Sequence, residues 1–285
     1  MLTRSIRLAL VVGLLILGAP AAFSQPTTPP AAPPGAAPAA DPVLTQLLGQ
    51  WERDMGTLQS LVIEFNWSRT YTTANVTKEG VGSLRCMKLP DGSLGAIYKV
   101  TRRDNPNMVI EQYICTGTHV YNISPETKTV DVITLQPRKA GQALDEGPMP
   151  FLTGMAAEAA RKRYQLATKE PADAKLKPWY TYLKVRPNFP SDQQNFSVAR
   201  LVIMKRDSQS PAIPAGMPRE IFWVEPTKNT TKWDIQRVLR NVPNSVDRQE
   251  FAKPDVPRDW KVQNVSPTAP VSPSGQPRVI RNQDR

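Results

Sequence analysis

A chain of 285 residues with a single histidine has few ways to move a proton near neutral pH. That residue, His119, would have to work with a distant serine to perform acyl transfer, since no nucleophile motif surrounds it. It stands at the start of a strand-like segment, where a local hydrogen bond accounts for it. Glu64 is the one carboxylate set oddly, inside an apolar stretch, and on the side opposite Trp67 it reads as part of a solvated face. Cys86 and Cys115 fall in strand-like segments two apart. At about 4.8 Å per strand they would lie roughly 10 Å from each other, beyond disulfide reach, so two buried, unbridged thiols are expected. No His, Cys, Asp and Glu group has metal-ligand spacing, and no glycine-rich loop follows a strand to cradle a phosphate. The expectation is a protein that is not an enzyme and carries no cofactor or metal.

The elements that position these residues centre on Leu61–Leu135. In Leu61-Val62-Ile63-Glu64-Phe65-Asn66-Trp67-Ser68 the large apolar side chains Leu61, Ile63, Phe65 and Trp67 recur every second residue and share one face of a strand. Five further strands are expected over Gly80–Met87, Gly95–Thr101, Met108–Cys115, His119–Ser124 and Thr129–Leu135, separated by Pro, Gly, Asn and Asp turns. Links this short exclude parallel crossovers, so the six should form an antiparallel meander. A helix precedes them: Asp41 as cap, Pro42 in its first turn, and Leu44, Leu47, Leu48, Trp51, Met55 and Leu58 at helical spacing. After a polar link over Gln136–Gly147, Phe151–Arg163 reads as a second helix with Leu152, Met155, Ala156 and Ala159 in its stripe. Strands are expected at Gln165–Lys169 and Trp179–Arg186. A helical turn near Asp192–Ala199 runs into another strand ending near Arg206. Arg219–Glu225 and Thr230–Leu239 read as a hairpin with Trp233, Ile235 and Leu239 in phase, and Phe251–Val262 as the closing segment.

The ends carry different signals. Residues 1–24 read as an export signal: Arg4 and Arg7, the apolar run Leu8–Gly18, then Ala22-Phe23-Ser24 as a small-residue cleavage site near Ser24. This predicts a periplasmic or otherwise exported protein. Residues 25–40 are a Pro/Ala-rich linker, 41–263 the folded domain and 264–285 a disordered basic tail. The formal charge of +11 becomes +9 once Arg4 and Arg7 depart. It suits anionic lipid surfaces, acidic polysaccharide or simple solubility, so peripheral membrane contact is one expectation. Nucleic acid is not, because no basic stretch is interleaved with aromatics on a recognisable binding element.

Pieces spread over Leu44–Val262 resemble the LolA-like family of periplasmic lipoprotein carriers, and more closely the LolA-like domains of planctomycete envelope proteins. These are the first helix with Leu58-Gln59-Ser60-Leu61…Phe65, Gly80-Val81-Gly82-Ser83-Leu84…Pro90, and Thr116-Gly117-Thr118-His119-Val120-Tyr121-Asn122-Ile123-Ser124-Pro125. Pro150-Phe151-Leu152 and Phe251…Pro254…Asp259-Trp260-Lys261-Val262 complete the ordered set. The resemblance implies an α+β fold: a strongly curved antiparallel sheet, an open half-barrel, with helices packed on its concave face. It also implies an apolar space between sheet and helices for acyl chains of a lipid or lipoprotein, lined here by Leu61, Ile63, Phe65, Trp67, Leu84, Trp51 and Met155. Where family carriers place a lid-closing arginine before the proline ending the second strand, this chain has Leu89, with Lys88 one residue earlier. The same face could instead fill itself completely. The alternative reading is then an envelope interaction or stress-sensor module with a protein partner and no lipid ligand.

Overall fold

The computed structural model describes residues 41–135, 149–205 and 212–265. The expected export signal, the linker, the polar link and nearly all of the basic tail lie outside the described residues. Helix α1 (Pro42–Gly56) opens the fold. Asp41 caps it, its Oδ1 accepting from the backbone N–H groups of Val43 and Leu44 at 2.9 and 3.2 Å. The six expected strands follow as β1 (Ser60–Tyr71), β2 (Val76–Lys88), β3 (Leu94–Arg102), β4 (Val109–Thr116), β5 (His119–Ser124) and β6 (Thr129–Thr134). Each pairs antiparallel with the next, as the short turns require.

Two short helices come next, α2 (Met149–Thr153) and α3 (Ala157–Arg163), followed by β7 (Tyr164–Lys169), β8 (Tyr180–Pro187), α4 (Pro190–Gln193), β9 (Val198–Met204), β10 (Pro218–Val224) and β11 (Thr230–Arg240). The second half is also a meander, and β11 returns to pair with β1. A 3-10 turn, Arg248–Phe251, and β12 (Lys261–Val265) finish the chain's described part. The result is one twelve-stranded, mostly antiparallel, curved and unclosed sheet in the order β12-β6-β5-β4-β3-β2-β1-β11-β10-β9-β8-β7. The stripe-bearing β1 sits inside it with a meander on each side.

Several local readings are corrected. The helix expected over Phe151–Arg163 breaks at Gly154, whose φ of 90° is left-handed backbone. The break resets the helical phase, so Ala160 is buried while Ala156 and Ala159 are exposed. The helical turn ends at Gln193, earlier than expected. In β11 the register against β1 steps from Glu64↔Arg237 to Phe65↔Ile235, which leaves Gln236 as the extra residue of a bulge. The bulge inverts the alternation beyond it. Val238 therefore takes the inner position, and Leu239 faces outward against Val62.

The closing segment also differs. Residues 241–260 run across the outer side of the sheet as a strap, and the closing strand is Lys261–Val265, paired parallel with β6. On that outer side Phe251 and Val246 pack with Val62, and Val256 and Trp260 with Ile114, Tyr121, Val130 and Val132. A Cβ added to Gly95 would come within 2.7 Å of the Phe251 ring, so β3 needs glycine where the strap crosses it. Leu89 packs into this outer cluster as well. The two cysteines lie on either side of one residue, Cys86 opposite Ala96 and Ala96 opposite Cys115, so they are two strands apart and each keeps its thiol. Burial pushes the Cys86 thiol well above its ordinary range, with the nearby Cys115 adding to the effect.

Candidate functional site

The inner face is built around β1. Leu61, Ile63, Phe65 and Trp67 all point to it, with Leu84 of β2 in the same cluster. Trp51 joins them from α1 and Met155 from the link between α2 and α3. All seven residues are brought together in one continuous apolar cluster, at 0–8% exposure. One glycine of β2 makes room for the bulk on β1. Gly82 faces Phe65, and a Cβ there would lie 2.7 Å from the ring's Cζ. The Phe65 ring stacks at 5.6 Å on Tyr98 of β3. Trp51 is fixed at its polar edge, its Nε1 donating to the Gly216 carbonyl at 2.7 Å. Next to it Gln50 Nε2 donates to the Ala215 carbonyl at 3.1 Å, so α1 is moored at 215–216 by two hydrogen bonds.

A second aromatic group lies on the other meander. Phe151 of α2 meets Tyr164, Phe196 and Trp223 at centroid distances of 5.5–6.3 Å, and Trp223 meets Trp233 edge-on at 6.1 Å. Arg163, at the end of α3, makes a bidentate pair with the buried Asp192, Nε to Oδ2 at 2.7 Å and Nη2 to Oδ1 at 2.6 Å. The linear pattern gives that arginine only a helix-dipole role; its partner is the carboxylate of α4.

The inner stripe does not end at Trp67. Two residues on, Arg69 occupies the same face at 1% exposure. Its Nη2 pairs with Glu225 Oε1, and its Nη1 lies 3.4 Å from Glu111 Oε1. Glu225 Oε2 also accepts from Thr227 Oγ1 at 3.3 Å. Tyr98 stands beside the group, its hydroxyl accepting from Trp233 Nε1 at 3.0 Å. One cation thus serves the buried Glu225 and the partly buried Glu111. Burial pushes the Glu111 carboxyl up to about 7, Arg69 offsets part of that, and Glu225 raises it further. Burial likewise holds the Tyr98 hydroxyl well above its ordinary range, with Glu111 adding to it. Glu111 is thus the carboxyl of this cluster that burial brings towards neutrality.

Two donors close to this cluster complete the picture. Among the described residues the Trp67 indole Nε1 and the Thr231 Oγ1 are buried with no hydrogen-bond partner. The register puts Trp67 opposite Trp233 and Arg69 opposite Thr231, so both polar atoms belong to the same few rungs of the sheet. By contrast His119, on β5, finds its partner next door, its Nδ1 3.0 Å from Thr118 Oγ1. Glu64 is half exposed on the outer face, 3.9 Å from Arg237. Among the described residues no His, Cys, Asp and Glu group is arranged to hold a metal ion.

No protein-family model matches the sequence, and no curated protein matches it. Solved structures do resemble the fold. An uncharacterised conserved protein from Thermus thermophilus aligns at 11% identity and TM-score 0.42, over 78% of this chain and 99% of that one. LprF from Mycobacterium bovis aligns at 14% and 0.38, over 73% and 97%. A LolA superfamily protein, NE2245, from Nitrosomonas europaea aligns at 10% and 0.38, over 74% and 97%. At these identities the likeness is one of fold alone.

Arg69 is the buried charge that the sequence pattern conceals. A signal is present: it continues the odd-numbered stripe of β1 in phase, and an arginine on a greasy face demands a carboxylate. Nothing in the linear pattern says that Glu111, on β4, and Glu225, in the turn after β10, would meet it.

Proposed function

We propose that this is an exported, non-enzymatic module that takes an acyl chain of a lipid or lipoprotein between the inner face of the half-barrel and the helices on its concave side. Leu61, Ile63, Phe65, Trp67 and Leu84 contribute the sheet side of the binding space, Trp51 and Met155 the helix side. The observation that carries the reading is the Trp67 indole. Its N–H is buried with no hydrogen-bond partner among the described residues. An unmet buried donor costs about 1–3 kcal/mol. An ester or carboxyl oxygen at the head of an acyl chain would supply the acceptor while the chain lies on the apolar stripe. Short covering helices interrupted at Gly154 suit a cover that parts to admit it.

A second reading has its own support. Seven candidate residues at 0–8% exposure suit a filled core and an envelope interaction or sensor module whose partner docks outside. One substitution separates the two. In the acyl-chain reading, the unmodified protein takes up a fluorescent fatty acid, and Leu84→Trp abolishes uptake in a protein that still melts cooperatively. In the filled-core reading, the unmodified protein takes up no probe and Leu84→Trp lowers stability by about 1–3 kcal/mol.

A further inference from the structure

The outer side of the sheet is divided. The strap covers strands of the first meander with Val246, Phe251, Val256 and Trp260. On the second meander Lys184, Arg186 and Arg200 stand exposed. The register sets them in order: Lys184 of β8 lies directly opposite Arg200 of β9, and Arg200 opposite Phe222 of β10. The Arg200 guanidinium lies over the Phe222 ring, 4.5 Å from its centroid. One rung along, Lys169 faces Tyr182. Among the described residues no carboxylate pairs with Lys169, Lys184, Arg186 or Arg200. The acids that the register sets on this face of β10 and β11 are engaged, Glu220 with Lys232 at 2.7 Å and Asp234 with Arg219.

Like charges directly opposite on neighbouring strands destabilise a sheet. Lys184 against Arg200 therefore works against the fold, and an anionic partner would turn that cost into attraction. Half-buried rings of Tyr182 and Phe222 between cations suit a surface that is charged outside and apolar beneath, as at lipid headgroups. A polymer bound through charge alone would have no use for the rings. We propose that this bare outer face of β8–β10 is a landing surface for an anionic lipid bilayer, separate from the inner acyl-chain space.

The test is flotation of the mature full chain with vesicles of phosphatidylcholine alone and of phosphatidylcholine with phosphatidylglycerol. Binding should require the anionic lipid and weaken as salt rises. Each basic residue near an anionic leaflet is worth roughly fivefold in affinity, so Lys184→Glu, a change of two charges, should lower vesicle binding about 25-fold. The same substitution sets opposite charges across the Lys184–Arg200 rung, so the melting temperature should rise as binding falls. A control with the same charge change on the strap, Lys253→Glu, should leave binding nearly unchanged. Equal loss in both variants, unchanged binding in Lys184→Glu, or equal binding to both vesicle types overturns the proposal. So does failure to bind either vesicle while acidic polysaccharide is captured in a Lys184-dependent way.

Discussion

Along one face of β1 the chain changes character within two residues. From Leu61 to Trp67 every inward side chain is apolar, and each is worth about 1.5–3 kcal/mol of burial against α1, β2 and the residues around Gly154. At Arg69 the same face carries a full charge, equally buried and held by Glu111 and Glu225. The apolar end tolerates volume-conserving swaps, which usually cost less than about 1.5 kcal/mol. The charged end does not: its stability depends on three groups keeping one arrangement, since each is costly to bury alone. The difference separates the end of the face held by apolar packing from the end held by paired charges.

Removing the cation is the largest way to break that contrast. Arg69→Ala should lower stability by about 3–5 kcal/mol, because the buried Glu225 and the partly buried Glu111 lose their counter-charge. Chemical denaturation with an unchanged slope would measure it. A loss no greater than that of an exposed substitution would mean the cluster is solvated and the contrast false.

A smaller effect sharpens it through pH. The Glu111 carboxyl is raised from 4.5 to about 7 in the folded protein, so folding takes up a proton between those values. Its contribution is fully favourable below about 4.5 and is lost as pH rises through 7, by roughly 3 kcal/mol in all. Stability measured from pH 5 to 8 should therefore fall as pH rises, and Glu111→Gln should flatten the slope. Asp41 acts in the opposite sense at the acid end: Thr168 donating to its side chain holds the carboxyl low, and that support disappears as pH falls below the ordinary carboxylate range.

The sequence shows the apolar end far better than the charged one, for a physical reason. Period-two alternation is local, so the stripe Leu61, Ile63, Phe65, Trp67, the meander and the Asp41 cap can be read from neighbours in the chain. Bulges and breaks are local too, but they depend on one residue's backbone. Gln236 inverts the phase that would have put Leu239 inside, and Gly154 ends a helix whose side-chain pattern continues. The strap and the parallel β12–β6 pairing arise from contacts between residues far apart in the chain, such as Lys261 with Thr129. The Arg69 cluster is of that kind, joining β1, β4 and the turn after β10.

The smallest expected effect belongs to a residue outside both regions. His119→Gln should cost about 1 kcal/mol or less, the worth of its local bond to Thr118, and leave ligand uptake unchanged. Loss of all uptake in a variant that melts normally would move the functional centre to the β5 edge.

The central claim, that the apolar end of the inner face receives an acyl chain, is tested most directly on the unmodified protein. It should be purified without detergent and extracted with organic solvent, and the extract analysed by mass spectrometry. The account predicts acyl-bearing lipid in stoichiometric amount, and reuptake of a fatty acid by the stripped protein. A well-folded protein that yields no lipid and takes none up would contradict it.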